Sequence, residues 1–224
     1  MDTITYKVIE LPPLTDVALA EFGKLPMDTF AGGEQRYRRF SQFRMDFVDD
    51  GWRAELLPHR PFIQPRSVNS YVGGVRRPFE PLRIDPSPQL IVGAEEIPLD
   101  STQPWQVNVH QCRVVTNDAV TGVSVPEGPH RDGHTFGMLA VFDRKNIQGG
   151  VTQLFESGSS TNPFFETTLQ PNQALVYDDG AMWHTATDIK APVGSQGHRD
   201  LWIVAFNPWS ERRYGDEFEA AAGV

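Results

Sequence analysis

A chain of 224 residues and 25.1 kDa is long enough to bury a sizeable core and short enough to hold it in one domain. Its formal net charge of -9 and isoelectric point near 5.1 disfavour nucleic acid and anionic membranes as partners, because a polyanion would be repelled over most of the surface. No run of about 18 apolar residues occurs, Met1-Asp2-Thr3 does not open a basic-then-apolar leader, and the single Cys112 permits no internal disulfide, so a reducing, cytoplasmic setting is expected.

In chain order, Thr15 can cap a short helix from Asp16 to Lys24, in which Ala18, Phe22 and Leu25 recur at helical spacing before Pro26. Gly32-Gly33 then opens a strand from Gln35 to Arg44 where arginines interleave with aromatics. Such interleaving can mark a nucleic-acid surface, but the acidic balance favours a solvated strand face with the aromatics packed inward. A third reading has one of Arg36, Arg38 or Arg39 clamping a substrate carboxylate through two parallel guanidinium contacts, and Arg38 stands as the candidate. Residues 58–104 are rich in Pro and Gly and show little periodicity. They carry too much apolar surface (Phe62, Ile63, Tyr71, Val72, Phe79, Leu82, Leu90, Ile91) for a solvated linker, so they read as ordered loops on the core, of the kind that form lids or substrate walls.

From Trp105 the texture changes to short strands: Gln106 to Thr116, Phe136 to Phe142, Val151 to Phe155, Glu166 to Leu169, Ala174 to Tyr177, Trp183 to Asp188 and Leu201 to Asn207. Clusters of Gly, Asn and Pro separate them, which is the pattern of an antiparallel sandwich or barrel. The expected fold is therefore mainly β, a double-stranded β-helix (jelly roll, cupin-like) with flanking helices. One domain over 1–224 is expected: supporting helices and loops in 1–104, a catalytic β core in 105–207, and a tail in 208–224 that is a short helix or a frayed end.

Chemistry concentrates at Val125-Pro126-Glu127-Gly128-Pro129-His130-Arg131-Asp132-Gly133 and at Trp183-His184-Thr185. In an extended segment His130 and Asp132 project to the same face, so an imidazole and a carboxylate can reach one point. A second imidazole from His184 on another strand would complete a two-histidine, one-carboxylate set with open positions, the ligand pattern of non-haem Fe(II) oxygenases. Asp178 and Asp179 precede His184 and could hold its other ring nitrogen.

Several blocks carry a family likeness: Pro126 to Gly133, Arg144-Lys145-Asn146-Ile147-Gln148-Gly149-Gly150, Asp178-Asp179-Gly180 leading to His184, His198-Arg199-Asp200, and Val109-His110-Gln111-Cys112-Arg113. Over roughly residues 105 to 207 the chain resembles the bacterial 2-oxoglutarate/Fe(II) dioxygenases typified by L-isoleucine 4-hydroxylase. The resemblance implies the jelly roll, with Fe(II), 2-oxoglutarate and O2 as cofactor and co-substrates. It implies His130, Asp132 and His184 as ligands and catalytic residues, and Arg199 as the arginine that fixes the far carboxylate of 2-oxoglutarate. The loop Lys190 to His198 would turn the chain so that Arg199 begins the strand beside that of His184. The implied substrate is a free, aliphatic L-amino acid, oxidised with release of succinate and CO2.

Other polar residues have plainer readings. His134 is expected beside the ligands or exposed, and His59 and His198 at the surface. His110 and Arg113 fall on opposite faces of one strand, so at most one points inward. Arg113 could reach a carboxylate of substrate or cofactor, or form a buried ion pair. Two rival functions share this fold: a cupin-type metal enzyme indifferent to 2-oxoglutarate, and a non-catalytic roll that binds a small acid. A homodimer is compatible with the sequence.

Overall fold

The computed structural model describes residues 6–30, 32–66 and 73–222; Met1, Asp2, Thr3, Tyr71 and Val72 lie outside them. Chain order runs β1 (Tyr6–Glu10), α1 (Asp16–Ala20) continued by a 3-10 turn (Glu21–Lys24), β2 (Arg36–Val48), β3 (Gly51–Leu56), α2 (Ser87–Glu95), β4 (Trp105–Thr116), β5 (Phe136–Lys145), β6 (Gln148–Gly149), β7 (Thr152–Phe155), β8 (Phe165–Thr167), β9 (Gln173–Asp178), β10 (Trp183–Ala186), β11 (Ile189–Lys190), β12 (Gly197–Pro208) and α3 (Asp216–Ala221). A seven-stranded antiparallel sheet in the order β1-β9-β5-β12-β4-β2-β3 packs against a smaller layer made of β10-β7-β8 and the β11-β6 pair. With about 40% strand and 13% helix, the protein is mainly β, a curled double-stranded β-helix.

Alternation along the central strand β12 explains both layers. Arg199, Leu201 and Ile203 face the smaller sheet, alongside Cys112 and Val114 of β4 and Leu175 of β9. Trp202, Val204 and Phe206 point the other way and pack with Phe22, Leu90 and Ala94 from the helices. Trp202 is fully buried, so truncating it to Ala should cost roughly 3–5 kcal/mol. The outer face thus supplies much of the stability and the inner face is left free for a cleft. One irregularity interrupts the pattern. Between β12 and β5 the register is Arg199↔Arg144 and Asp200↔Asp143 but Leu201↔Val141, so Phe142 is an extra residue in a β-bulge.

The sequence reading is modified in three places. Residues 1–104 contribute three strands to the main sheet as well as helices and loops. β1 is an exposed edge strand with one buried side chain, Ile9, which leaves little periodic signal. The Pro-rich region expected to be loops contains α2, in which Pro88 occupies the first turn and the Asp85 carboxylate accepts from the Ser87 amide and hydroxyl. Leu90 and Ala94, one turn apart, then face the core. Finally, β12 starts at Gly197, earlier than the expected Leu201, because it is paired on both sides. Thr15 caps α1 as read, accepting from the Ala18 amide.

Candidate metal centre and co-substrate cleft

Residue 130 pairs directly with residue 184: the His130 amide donates to the His184 carbonyl at 3.0 Å, and the His184 amide returns the bond at 2.8 Å. Two residues joined this way project side chains to the same face, and their rings sit 4.4 Å apart. Asp132, two residues on, turns its carboxylate back between them, with Oδ1 at 3.7 Å from His130 Nε2 and Oδ2 at 3.5 Å from His184 Nε2. One ligand atom from each of the three lies within 4.8 Å of the others. Ligands at right angles around an ion with bonds of about 2.1 Å stand roughly 3 Å apart, so a small inward movement would close this set on one ion.

The surroundings fix the rings. His130 Nδ1 lies 3.0 Å from the Gly128 carbonyl, which assigns its proton to Nδ1 and leaves the Nε2 lone pair toward the cluster. His184 Nδ1 is buried without a hydrogen bond, 3.5 Å from Asp179 Oδ1. Asp179 accepts from the amides of Asp132 at 3.0 Å and His134 at 2.8 Å, so a single buried carboxylate holds the ligand loop and faces the ring of His184. Arg213, from the segment before α3, donates to the carbonyls of Asp132 and Gly133. This C-terminal brace had no signal in sequence. Burial works against ionising Asp132, but the hydrogen bond from His184 and the His130 and His184 charges outweigh it and hold the carboxyl well below its usual range. For His184 burial opposes the charge, and Asp132 overcomes it and raises the imidazole above 6.5. The donor set is two neutral-capable imidazoles and one carboxylate, with the remaining directions open to the cleft. That set fits a hard-to-borderline divalent ion such as Fe(II).

Deeper in the same cleft lies Arg199, 2% exposed. Its Nη2 reaches Thr152 Oγ1 at only 3.4 Å, and its Nε is buried with no hydrogen bond. Among the described residues no carboxylate pairs with it. Burial, then the charge of Arg144, pull its pKa down to about 9, the mark of a desolvated cation lacking a counter-ion. The sequence reading put Arg199 on the strand beside that of His184, and the structure corrects this. β12 lies between β4 and β5, while His184 is on β10 in the opposite layer. The chain crosses between layers through β11, so the two residues face each other across the cleft.

The remaining sequence candidates divide. Arg38 lines the cleft, 7% exposed, with Nε 3.2 Å from Asp28. Arg113 does not enter it: by strand parity it lies on the other face, where it grips both oxygens of Asp200 at 2.6 and 2.7 Å. His110 is the inward residue of that strand, buried and stacked on Phe40. His134 is buried against Asn207, and burial followed by the Arg213 charge keeps it neutral, its pKa about 3. His59 bonds the Phe79 carbonyl and His198 bonds Asp143. Tyr177 was not singled out by sequence. Its hydroxyl sits 3.3 Å from His184 Nε2, and Gly137 opposite makes room, since a Cβ there would come within 2.3 Å of the ring.

The sequence model of a family described as 2OG-Fe dioxygenase matches residues 20–205. The chain belongs to the 2OG-Fe dioxygenase family. Members use Fe(II), 2-oxoglutarate and O2. Among solved structures, a bsmA homolog from Methylobium petroleophilum PM1 is 28% identical, with 86% of this chain and 80% of that one aligned at a TM-score of 0.71. IDO from Bacillus thuringiensis is 19% identical over 86% and 84% of the two chains, TM-score 0.68. The Fe(II)/(alpha)ketoglutarate-dependent dioxygenase TqaL is 17% identical over 92% and 83%, TM-score 0.58. The last two likenesses are of fold. No curated protein matches the sequence. No described helix is long and apolar enough to cross a membrane.

Proposed function

We propose that this 2OG-Fe dioxygenase holds Fe(II) on His130, Asp132 and His184, anchors 2-oxoglutarate on Arg199, and hydroxylates a free, aliphatic L-amino acid. The observation that carries the reading is the pairing of an ion-sized ligand set with a buried, uncompensated guanidinium across one cleft. A dicarboxylate spanning the two would neutralise Arg199 in a site already stripped of water, where a charge-assisted contact is strongest.

Bound iron supplies the oxidising chemistry, coupling decarboxylation of 2-oxoglutarate to oxygen insertion. The chain supplies placement. Asp179 and the Gly128 carbonyl orient the two imidazoles. Thr152 and Arg199 receive the far carboxylate, and Leu139, Leu175 and Leu201 exclude water from the carbon chain between. The Tyr177 hydroxyl stands 3.3 Å from His184 Nε2 and would help hold that ring in place. The substrate is then left the part of the cleft lined by Phe62, Gln64 and Arg77. The amino-acid assignment rests on the resemblance to L-isoleucine 4-hydroxylase in the blocks around His130, Arg144, Asp178 and Arg199.

A succinate-release screen of the iron-loaded protein over the twenty amino acids tests this reading. Turnover above the 2-oxoglutarate-only rate is expected for one or more of isoleucine, leucine and methionine. Stimulation by none of the twenty would sink the amino-acid assignment. Anaerobic titration with Fe(II) and 2-oxoglutarate tests the cofactor arrangement separately, through a metal-to-ligand absorption band in the wild type and its loss in His130→Ala.

A further inference from the structure

The cleft holds a second buried cation with no ion-paired carboxylate among the described residues. Arg77 is 6% exposed, and its Nε is buried without a hydrogen bond. Its Nη2 donates to Gln64 Oε1 at 2.9 Å and its guanidinium lies 4.5 Å from the centre of the Phe62 ring. Among the described residues, no Asp or Glu forms an ion pair with it. Arg38 lines the same cleft, but its charge is matched by Asp28. Asp28 is itself committed, with Oδ1 accepting from the Phe30 amide. Arg36, on the same cleft, also lacks an ion pair, but its Nη2 donates to the Ser124 carbonyl, so Arg77 is, besides Arg199, the cation here whose Nε is buried with neither a hydrogen bond nor an ion pair among the described residues. Burial, then repulsion from Arg38, depress its pKa to about 10 against the smaller pull of Asp28, Asp132 and Glu127. Its connection to the reacting centre is short: Gln64, which accepts from Arg77, has Nε2 3.5 Å from Asp132 Oδ1.

We propose that Arg77 is the anion-recognising residue for the primary substrate, binding its carboxylate at the Phe62 and Gln64 wall, while Arg199 serves 2-oxoglutarate alone. This deepens the proposed function and rests on it for the remainder of the substrate. The chemistry follows from the inventory. A guanidinium offers five donors in a fixed fork, Gln64 occupies one, and the unpartnered Nε with the remaining donors matches a carboxylate's two oxygens. Arg199 on β12 and Arg77 on the bridge with Phe62 can then assign two carboxylates to two places. Gln64 is a positioning residue that ties the occupied anion site to the metal carboxylate.

The test uses full-length protein loaded with Mn(II) and 2-oxoglutarate, with 4-methylpentanoate and 4-methylpentanamide as matched anionic and neutral probes. The wild type is expected to bind the acid at least about 30-fold more tightly than the amide by calorimetry. In Arg77→Met the acid should weaken to the level of the amide, while the affinity for 2-oxoglutarate stays within about twofold. Arg77→Lys should restore part of the preference. Melting temperatures of both variants verify folding, and if Arg77→Met does not fold, the acid-to-amide ratio of the wild type and Arg77→Lys still decides. Equal binding of acid and amide by the wild type, or a loss confined to 2-oxoglutarate in Arg77→Met, overturns the proposal. Because the probes lack an amino group, the acid preference can hold when no amino acid is turned over, and amino-acid turnover can stand when the preference fails.

Discussion

Among the described residues, two clusters combine histidine with carboxylates at ion-binding distances: His130, Asp132 and His184 in the cleft, and Asp143, His198 and Asp200 on the outer side of the main sheet. Composition does not separate them; the nearest cation does. Arg113 occupies both oxygens of Asp200, so the outer cluster is already neutralised and its His198 is spoken for by Asp143 at 2.9 Å. At the inner cluster Arg213 is directed to backbone carbonyls and leaves the Asp132 carboxylate to the two imidazoles. On the proposed assignment, the set that takes the metal is the one from which the fold withholds a competing positive charge.

The comparison would break most visibly on the ligands themselves. Asp132→Ala or His184→Ala should abolish stoichiometric iron binding and lower turnover by about 1000-fold or more. His198→Ala should keep one iron per chain by metal analysis. If His198→Ala instead lost the iron, the assignment of the two clusters would be reversed.

The arginines give the next largest contrast. Arg199→Met should raise the KM for 2-oxoglutarate by about 100-fold, yet make the ligand-free protein more stable by on the order of 1–3 kcal/mol, since it removes a desolvated charge with no partner. Arg113→Met should do the opposite. It strands Asp200 at 1% exposure, at a cost of roughly 3 kcal/mol, with the 2-oxoglutarate KM unchanged. Denaturant melts of both variants, with and without 2-oxoglutarate, show the sign in each case.

A pH series sharpens the comparison further. In the iron-free protein the raised His184 pKa means that its protonated form contributes stability below about 6.5, lost as pH rises through the folded value. Fe(II) must displace that proton, so iron affinity should fall by about tenfold per unit as pH drops below the His184 pKa. Isothermal titration between pH 6 and 8 measures the slope, and a flat profile would mean His184 is not a ligand. The smallest effect belongs to Asp143→Asn. Its side chain is 43% exposed, and its pairing with His198 should contribute no more than about 0.5 kcal/mol.

The His130 and Asp132 half of the inner cluster was legible in sequence because it is local, whereas His184 came from the family resemblance and meets them through a long-range bridge. His130 and Asp132 share a face by strand parity, and turn residues bracket them. The mainly β fold was legible from the regular strands after Trp105. What sequence could not supply depends on pairing between distant segments. Arg77 reaches the cleft through an isolated bridge with Phe62 inside a stretch with no periodic signal. Arg213 closes the ligand loop from beyond the last strand. Arg199 was expected beside the strand of His184 and lies elsewhere, because its position follows from which sheet β12 joins. Arg113 was undecided until parity on a paired strand sent it to Asp200.

The Phe142 bulge governs the electrical character of the inner cleft. Were Phe142 paired with Asp200 and not bulged out, the uninterrupted count from Leu201↔Val141 would bring Asp143 across from Arg199. The cleft would then carry a built-in counter-ion for Arg199, and an incoming dicarboxylate would have to compete with the protein's own side chain. The single-residue slip installs Arg144 there instead, its guanidinium tethered to the Gly149 carbonyl at 2.7 Å, and so keeps the anchor hungry for an outside anion.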